Sequence, residues 1–224
     1  MIHFTDTHEK KDISDIVNSP AIKEILPDNL SSSDSRDFWD NFFTENPYGD
    51  GEEPNYDTIW PEIFDRDEGE FTFVFPFDDE VSKVLNRFDE GEWSQLTTAE
   101  RLEAMRTFVE LLAAKLGLEE VPEIILFDGP AYLLGAFVEG DDNVEINKML
   151  LKNPNALVNT LAHEMRHAYQ YEHAMNPQYW TDILYRINFD NYITPEMSFE
   201  DYQDQLVEAE ARAFAKLFAP KEAE

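Results

Sequence analysis

The chain has 224 residues, with 48 Asp plus Glu against 17 Lys plus Arg, five His and no Cys. A formal net charge of −31 argues against direct binding to nucleic acid or an anionic membrane, because their phosphates would be repelled. Without cysteine there is no disulfide scaffold, thiolate zinc site or cysteine nucleophile, and no run reaches the roughly 18–20 apolar residues of a membrane span.

Residues 1–95 hold 25 acids and 7 bases, a net of −18. They read as an acidic, aromatic-rich N-terminal region. Met1 to Lys11, MIHFTDTHEKK, has no apolar stretch fit for a signal peptide, so the expected location is cytoplasmic, with delivery as an effector left open. Pro20, Pro27, Pro47, Pro54 and Pro61 oppose long helices there. The best strand candidate is FTFVFPF (71–77), where Phe71, Phe73, Phe75 and Phe77 recur at period two and Pro76 suggests a sheet edge.

Residues 96–224 read more regularly and are taken as one domain. Thr97 and Glu100 form a capping-box pattern, and Leu102, Met105, Val109, Leu112 and Leu116 follow at helical spacing. Gly117 is a natural stop, so a helix is expected from about 98 to 116. EIILF (123–127), AYLLGAFV (131–138) and VEIN (144–147), separated by turn residues, predict a three-stranded meander. Asn153-Pro154 starts a further helix with Leu157, Leu161, Met165 and Ala168 as its apolar stripe. An irregular, aromatic-rich insert at 174–198 follows, a lid or ordinary core. A last helix is predicted from Ser198 to Pro220, with Leu206, Val207, Ala211, Phe214 and Phe218 on its inner side. The fold class is α+β.

The chemistry concentrates in LAHEMRHAYQ (161–170), where His163, Glu164 and His167 form HExxH on a segment predicted helical on other grounds. With this composition, shuffled sequences would contain the motif only about 1% of the time. Side chains at i and i+4 share a face roughly 5–6 Å apart, so both imidazoles can reach one metal at about 2.0–2.1 Å. Glu164 is offset by one residue, where it can take a proton from the attacking water rather than ligate.

A catalytic zinc site usually has a third protein ligand. His173 has the offset of the HExxHxxGxxH pattern, but Gln170 stands where the chain-turning Gly would be. An unbroken helix would swing His173 about 120° from His167. Glu208 and Glu210 lie in the last helix among Ala209, Ala211, Ala213 and Ala215, which would permit close packing. Either gives a His2Glu set; Glu208 is favoured, with Asp204 and Arg212 one turn away to hold it.

HEMRH followed by VEAEARAFA resembles the gluzincin type of zincin metallopeptidase, in particular the compact bacterial and phage ImmA/IrrE-like peptidases. Their E-x-x-A-x-x-F-A helix corresponds to Glu208, Ala211, Phe214 and Ala215. The resemblance covers residues 96–220. It implies a zincin-like minimal domain, Zn2+ held by His163, His167 and Glu208, Glu164 as general base, and peptide-bond hydrolysis. It also implies that VEIN pairs an extended substrate beside the active-site helix. The 41-residue gap from His167 to Glu208 exceeds that of a minimal gluzincin.

An oxyanion donor besides the metal is needed. Among Tyr169, Tyr171, Tyr202 and Arg166, Tyr202 is the candidate because it shares the predicted helix with Glu208; Arg166 reads as a salt-bridge partner. The negative field favours a basic peptide or protein substrate, cleaved with narrow specificity. Two rival readings stand beside this one. The acidic N-terminal region would act as a protein-binding or nucleic-acid-mimic module, with a structural or inactive metal site, or it would cover the cleft as in a zymogen.

Overall fold

The computed structural model describes residue 71 and residues 73–219; the expectations for the first 70 residues and for Pro220 lie outside the described residues. The described chain is α+β and divides into two compact units, residues 71, 73–172 and 207–219 belonging to the first and 173–206 to the second. Among the described residues, no helix is long and apolar enough to cross a membrane.

The first unit opens without the strand expected at 71–77: its described residues are neither helix nor strand, and no described residue pairs with them in a ladder. Pro76 lacks an N–H for a ladder, and the Phe77 and Asp78 amides turn back onto Phe75 and Pro76 carbonyls at 3.0 Å. Period-two spacing still sets the packing. Phe73 and Phe75 meet Phe214 at 5.4 and 5.8 Å between ring centroids, and Phe75 and Phe77 meet Phe218 at 5.1 and 5.4 Å.

Helices α1 (Asp79–Asn86), α2 (Glu90–Gln95) and α3 (Thr98–Leu116) follow. Asp78 caps α1, accepting from the Glu80 and Val81 amides. In α3 the capping box of Thr97 and Glu100 forms, and Gly117 closes the helix at φ 79°, a conformation that carries little cost without a Cβ. Residues before position 96 join this core: Val81, Val84, Phe88 and Trp93 are buried with Met105, Phe108 and Leu112. The Trp93 indole also donates to the Leu151 carbonyl at 2.9 Å.

The sheet is not a meander. Its order is β1-β3-β2, with β1 (Glu123–Phe127) parallel to β3 (Asn143–Asn147) and β2 (Gly135–Val138) antiparallel to it. Residues 131–134 of the expected second strand are spent on the crossover. The buried Asn147 amide organises that link, donating to the carbonyls of Gly129, Pro130 and Leu133 at 2.8–3.2 Å. β3 is therefore the central strand, with Val144 and Ile146 fully buried and both edges paired. This corrects the expectation that VEIN receives a substrate strand: its backbone hydrogen bonds are already taken.

Helix α4 (Pro154–Met175) starts at the Asn153-Pro154 signal, where Asn153 Oδ1 accepts the Ala156 amide at 3.1 Å. The predicted stripe of Leu157, Leu161, Met165 and Ala168 is buried. So is most of the remaining circumference: between 157 and 168 only Asn159 and His163 retain notable exposure. α4 is thus a central helix rather than a surface one. A shorter helix, α7 (Leu206–Ala215), closes the unit, with its last residues passing into a 3-10 turn at Lys216–Phe218.

In the second unit, the insert at 174–198 is not irregular, since α5 (Trp180–Asp190) forms in it; α6 (Phe199–Asp204) follows, at the start of the predicted last helix. Tyr185 and Phe189 are buried alongside Ile183 and Ile187, as ordinary core residues, while Tyr179 is exposed. The predicted single helix from Ser198 is broken at Gln205, whose backbone is extended (φ −64°, ψ 144°). The buried Gln205 amide clamps Ile193 from both sides, accepting its N–H at 3.2 Å and donating to its carbonyl at 2.8 Å. Those bonds, together with one from Asn188 at 3.0 Å, fix the break.

Candidate metal centre

His163, His167 and Glu208 converge, with ligand atoms all within 4.8 Å of one another. The two imidazoles project from α4 one turn apart, with rings nearly perpendicular at 86°. Glu208 comes from the first turn of α7. His163 Nε2 lies 3.0 Å from His167 Nε2 and 3.3 Å from Glu208 Oε2, and His167 Nε2 lies 3.3 Å from Glu208 Oε1. A tetrahedral ion with ligands at about 2.0–2.1 Å requires separations of about 3.3–3.4 Å between them. The two imidazoles meet different oxygens of Glu208, and one ligand atom from each residue lies within 4.8 Å of the others, so the three side chains could close on such an ion.

Burial supports the same conclusion. Glu208 and His167 are fully buried, while the His163 side chain is 15% exposed. Burial alone pushes the Glu208 carboxyl up. Attraction to His167 and His163 outweighs it and holds the carboxyl well below the usual range. A buried carboxylate is stabilised by positive charge beside it, which the imidazoles or a bound ion can supply. This group could hold a metal ion, reached from the side of His163.

Glu164 is 2% exposed and does not join the ligand set. Its Oε2 accepts the Phe137 amide of β2 at 2.9 Å. Gly135, which the sequence reading passed over, makes this approach possible. A Cβ there would meet Thr160 Cγ2 at 2.7 Å, the Glu145 carbonyl at 3.1 Å and Glu164 Oε1 at 3.2 Å. The available signal was a glycine inside a strand pattern.

The other candidates have different roles. Glu210 is held by Arg166 Nη2 at 2.6 Å and by Gln170 Nε2 at 2.7 Å, while Glu208 is the carboxylate that meets the two imidazoles. Arg166, expected as a salt-bridge partner, also stacks over Tyr169 at 4.1 Å. Tyr171 meets the Phe137 ring at 5.8 Å. His173 falls in the second unit and pairs with buried Asp182 at 3.2 Å instead of joining the ligands. Tyr202 sits on α6, not on the helix of Glu208, and its ring neighbours are Tyr192 and Phe199. The helix-sharing argument for Tyr202 as oxyanion donor therefore fails. Compared with protein-family models, curated proteins and solved structures, the chain matches none.

Proposed function

We propose that the chain is a zinc-dependent peptidase of zincin type, cleaving basic peptides or protein segments. The observation that carries this reading is the convergence of His163, His167 and Glu208, with ligand atoms within 4.8 Å of one another, beside a Glu164 held by the Phe137 amide. Zinc is preferred because two imidazoles and a carboxylate are a donor set it takes in catalytic sites. When bound, the ion supplies Lewis acidity toward the scissile carbonyl and lowers the pKa of attacking water to about 7.

The protein's own residues do the rest. His163 and His167 would hold the ion from one helix and Glu208 from another, so their geometry is set by the packing of α4 against α7. Glu164 takes the proton from the attacking water and returns it to the leaving amine. Phe137 holds one oxygen of that carboxylate, which limits its rotation between the two proton transfers. The net charge of −31 draws in basic substrates and repels acidic ones, an effect that weakens with salt.

The test is digestion of a mixed peptide library by the full chain. Cleavage enriched near Lys and Arg is expected, abolished by a chelator and restored by stoichiometric zinc. Cleavage that survives exhaustive chelation, or none in zinc-loaded protein, contradicts the reading.

A further inference from the structure

Behind His167 lies a line of buried polar groups that the proposed hydrolysis does not itself require. Gln170, fully buried one turn along α4, places Oε1 2.9 Å from His167 Nδ1. Its Nε2 donates to the Val207 carbonyl at 3.0 Å and to Glu210 Oε2 at 2.7 Å. Both of those partners are pure acceptors, so both amide hydrogens are committed and the amide cannot be reversed. Oε1 must then face His167 as an acceptor, and Nδ1 must carry a proton. In a neutral imidazole this leaves Nε2 with its lone pair, aimed at His163 and Glu208. Arg166 completes the line by gripping Glu210 from its other oxygen at 2.6 Å, and its guanidinium is packed against Phe73, Tyr169 and Phe214.

We propose that Gln170 is the positioning residue that presets His167 in the tautomer able to bind a metal, with Glu210 and Arg166 fixing the Gln170 amide. The inference rests on the reading of His163, His167 and Glu208 as a metal site. Its structural logic is that of an outer partner which locks a ligand ring and its tautomer before the ion arrives. A neutral amide does this without adding a second buried charge beside Glu208.

The test uses the full chain, stripped of metal and labelled with ¹⁵N, with the ring nitrogens read by long-range proton–nitrogen correlation. In the wild type, His167 Nδ1 is expected to be protonated, before and after zinc is added. In Gln170→Leu the ring is expected to populate the Nε2–H form, and zinc affinity, measured against a competing chelator, falls about 10–100-fold. Glu210→Gln, which keeps the volume but lets the Gln170 amide turn, should show an intermediate effect on both. A Gln170 that merely fills space would change stability and leave the ring proton where it was. Unprotonated Nδ1 in the wild type overturns the proposal even if no variant folds. So does a folded Gln170→Leu with unchanged ring signals and unchanged zinc affinity. Failure of the wild type to bind zinc, with Nδ1 protonated, would instead overturn the metal reading.

Discussion

Glu164→Gln is expected to lower the turnover of peptide cleavage by about 10³-fold while leaving metal binding and the fold intact. The carboxamide has the same shape, and its oxygen can still accept the Phe137 amide now bound at 2.9 Å, so the side chain keeps its anchor. It can no longer take a proton. The loss should therefore fall on kcat, with little change in substrate affinity, because the missing interaction develops in the transition state. Comparable loss from both kcat and zinc stoichiometry would place Glu164 among the ligands, against the geometry. Undiminished cleavage would remove it from the mechanism.

Phe214→Ala should be the most damaging single truncation outside the centre, costing about 4 kcal/mol of stability. Phe214 is 1% exposed on α7 and sits among Phe73, Phe75 and Phe218 at 5.4–5.8 Å, with the Arg166 guanidinium 5.6 Å from its ring. Removing the ring opens a cavity and withdraws edge-to-face contacts worth about 0.5–1.5 kcal/mol each beyond their buried area. Against a total of about 5–15 kcal/mol this is a large fraction. Urea denaturation would show it as a lower midpoint at unchanged slope. A loss below about 1 kcal/mol would mean that α7 is not anchored through this residue. Because the same helix carries Glu208, zinc affinity should fall alongside stability.

Local signals carried well. Thr97, Glu100 and Gly117 specify both ends of α3 by themselves, and Asn153-Pro154 specifies the start of α4. HExxH needs only helical periodicity to bring His163 and His167 together. What periodicity could not reach depends on partners distant in sequence. The placement of β3 between β1 and β2 follows from the crossover that Asn147 ties together, and three short apolar runs contain no trace of it. Gln205 has an ordinary preference for helix; only its clamp on Ile193 twelve positions away breaks the segment and separates Tyr202 from Glu208. What separates Glu208 from Glu210 is likewise tertiary: Arg166 and Gln170 occupy the latter, and the former meets His163 and His167. Gln170 was half legible. It follows His167 by three residues on the same helix, but its meaning needs Val207 and Glu210 on α7.

The most direct measurement is elemental metal analysis of the full chain, beside His163→Ala and Glu208→Ala, after zinc addition and removal of excess. About one zinc per chain, lost in both variants while they remain folded, is the expected result. No metal retained by the wild type, or full retention by Glu208→Ala, would contradict the His163–His167–Glu208 centre.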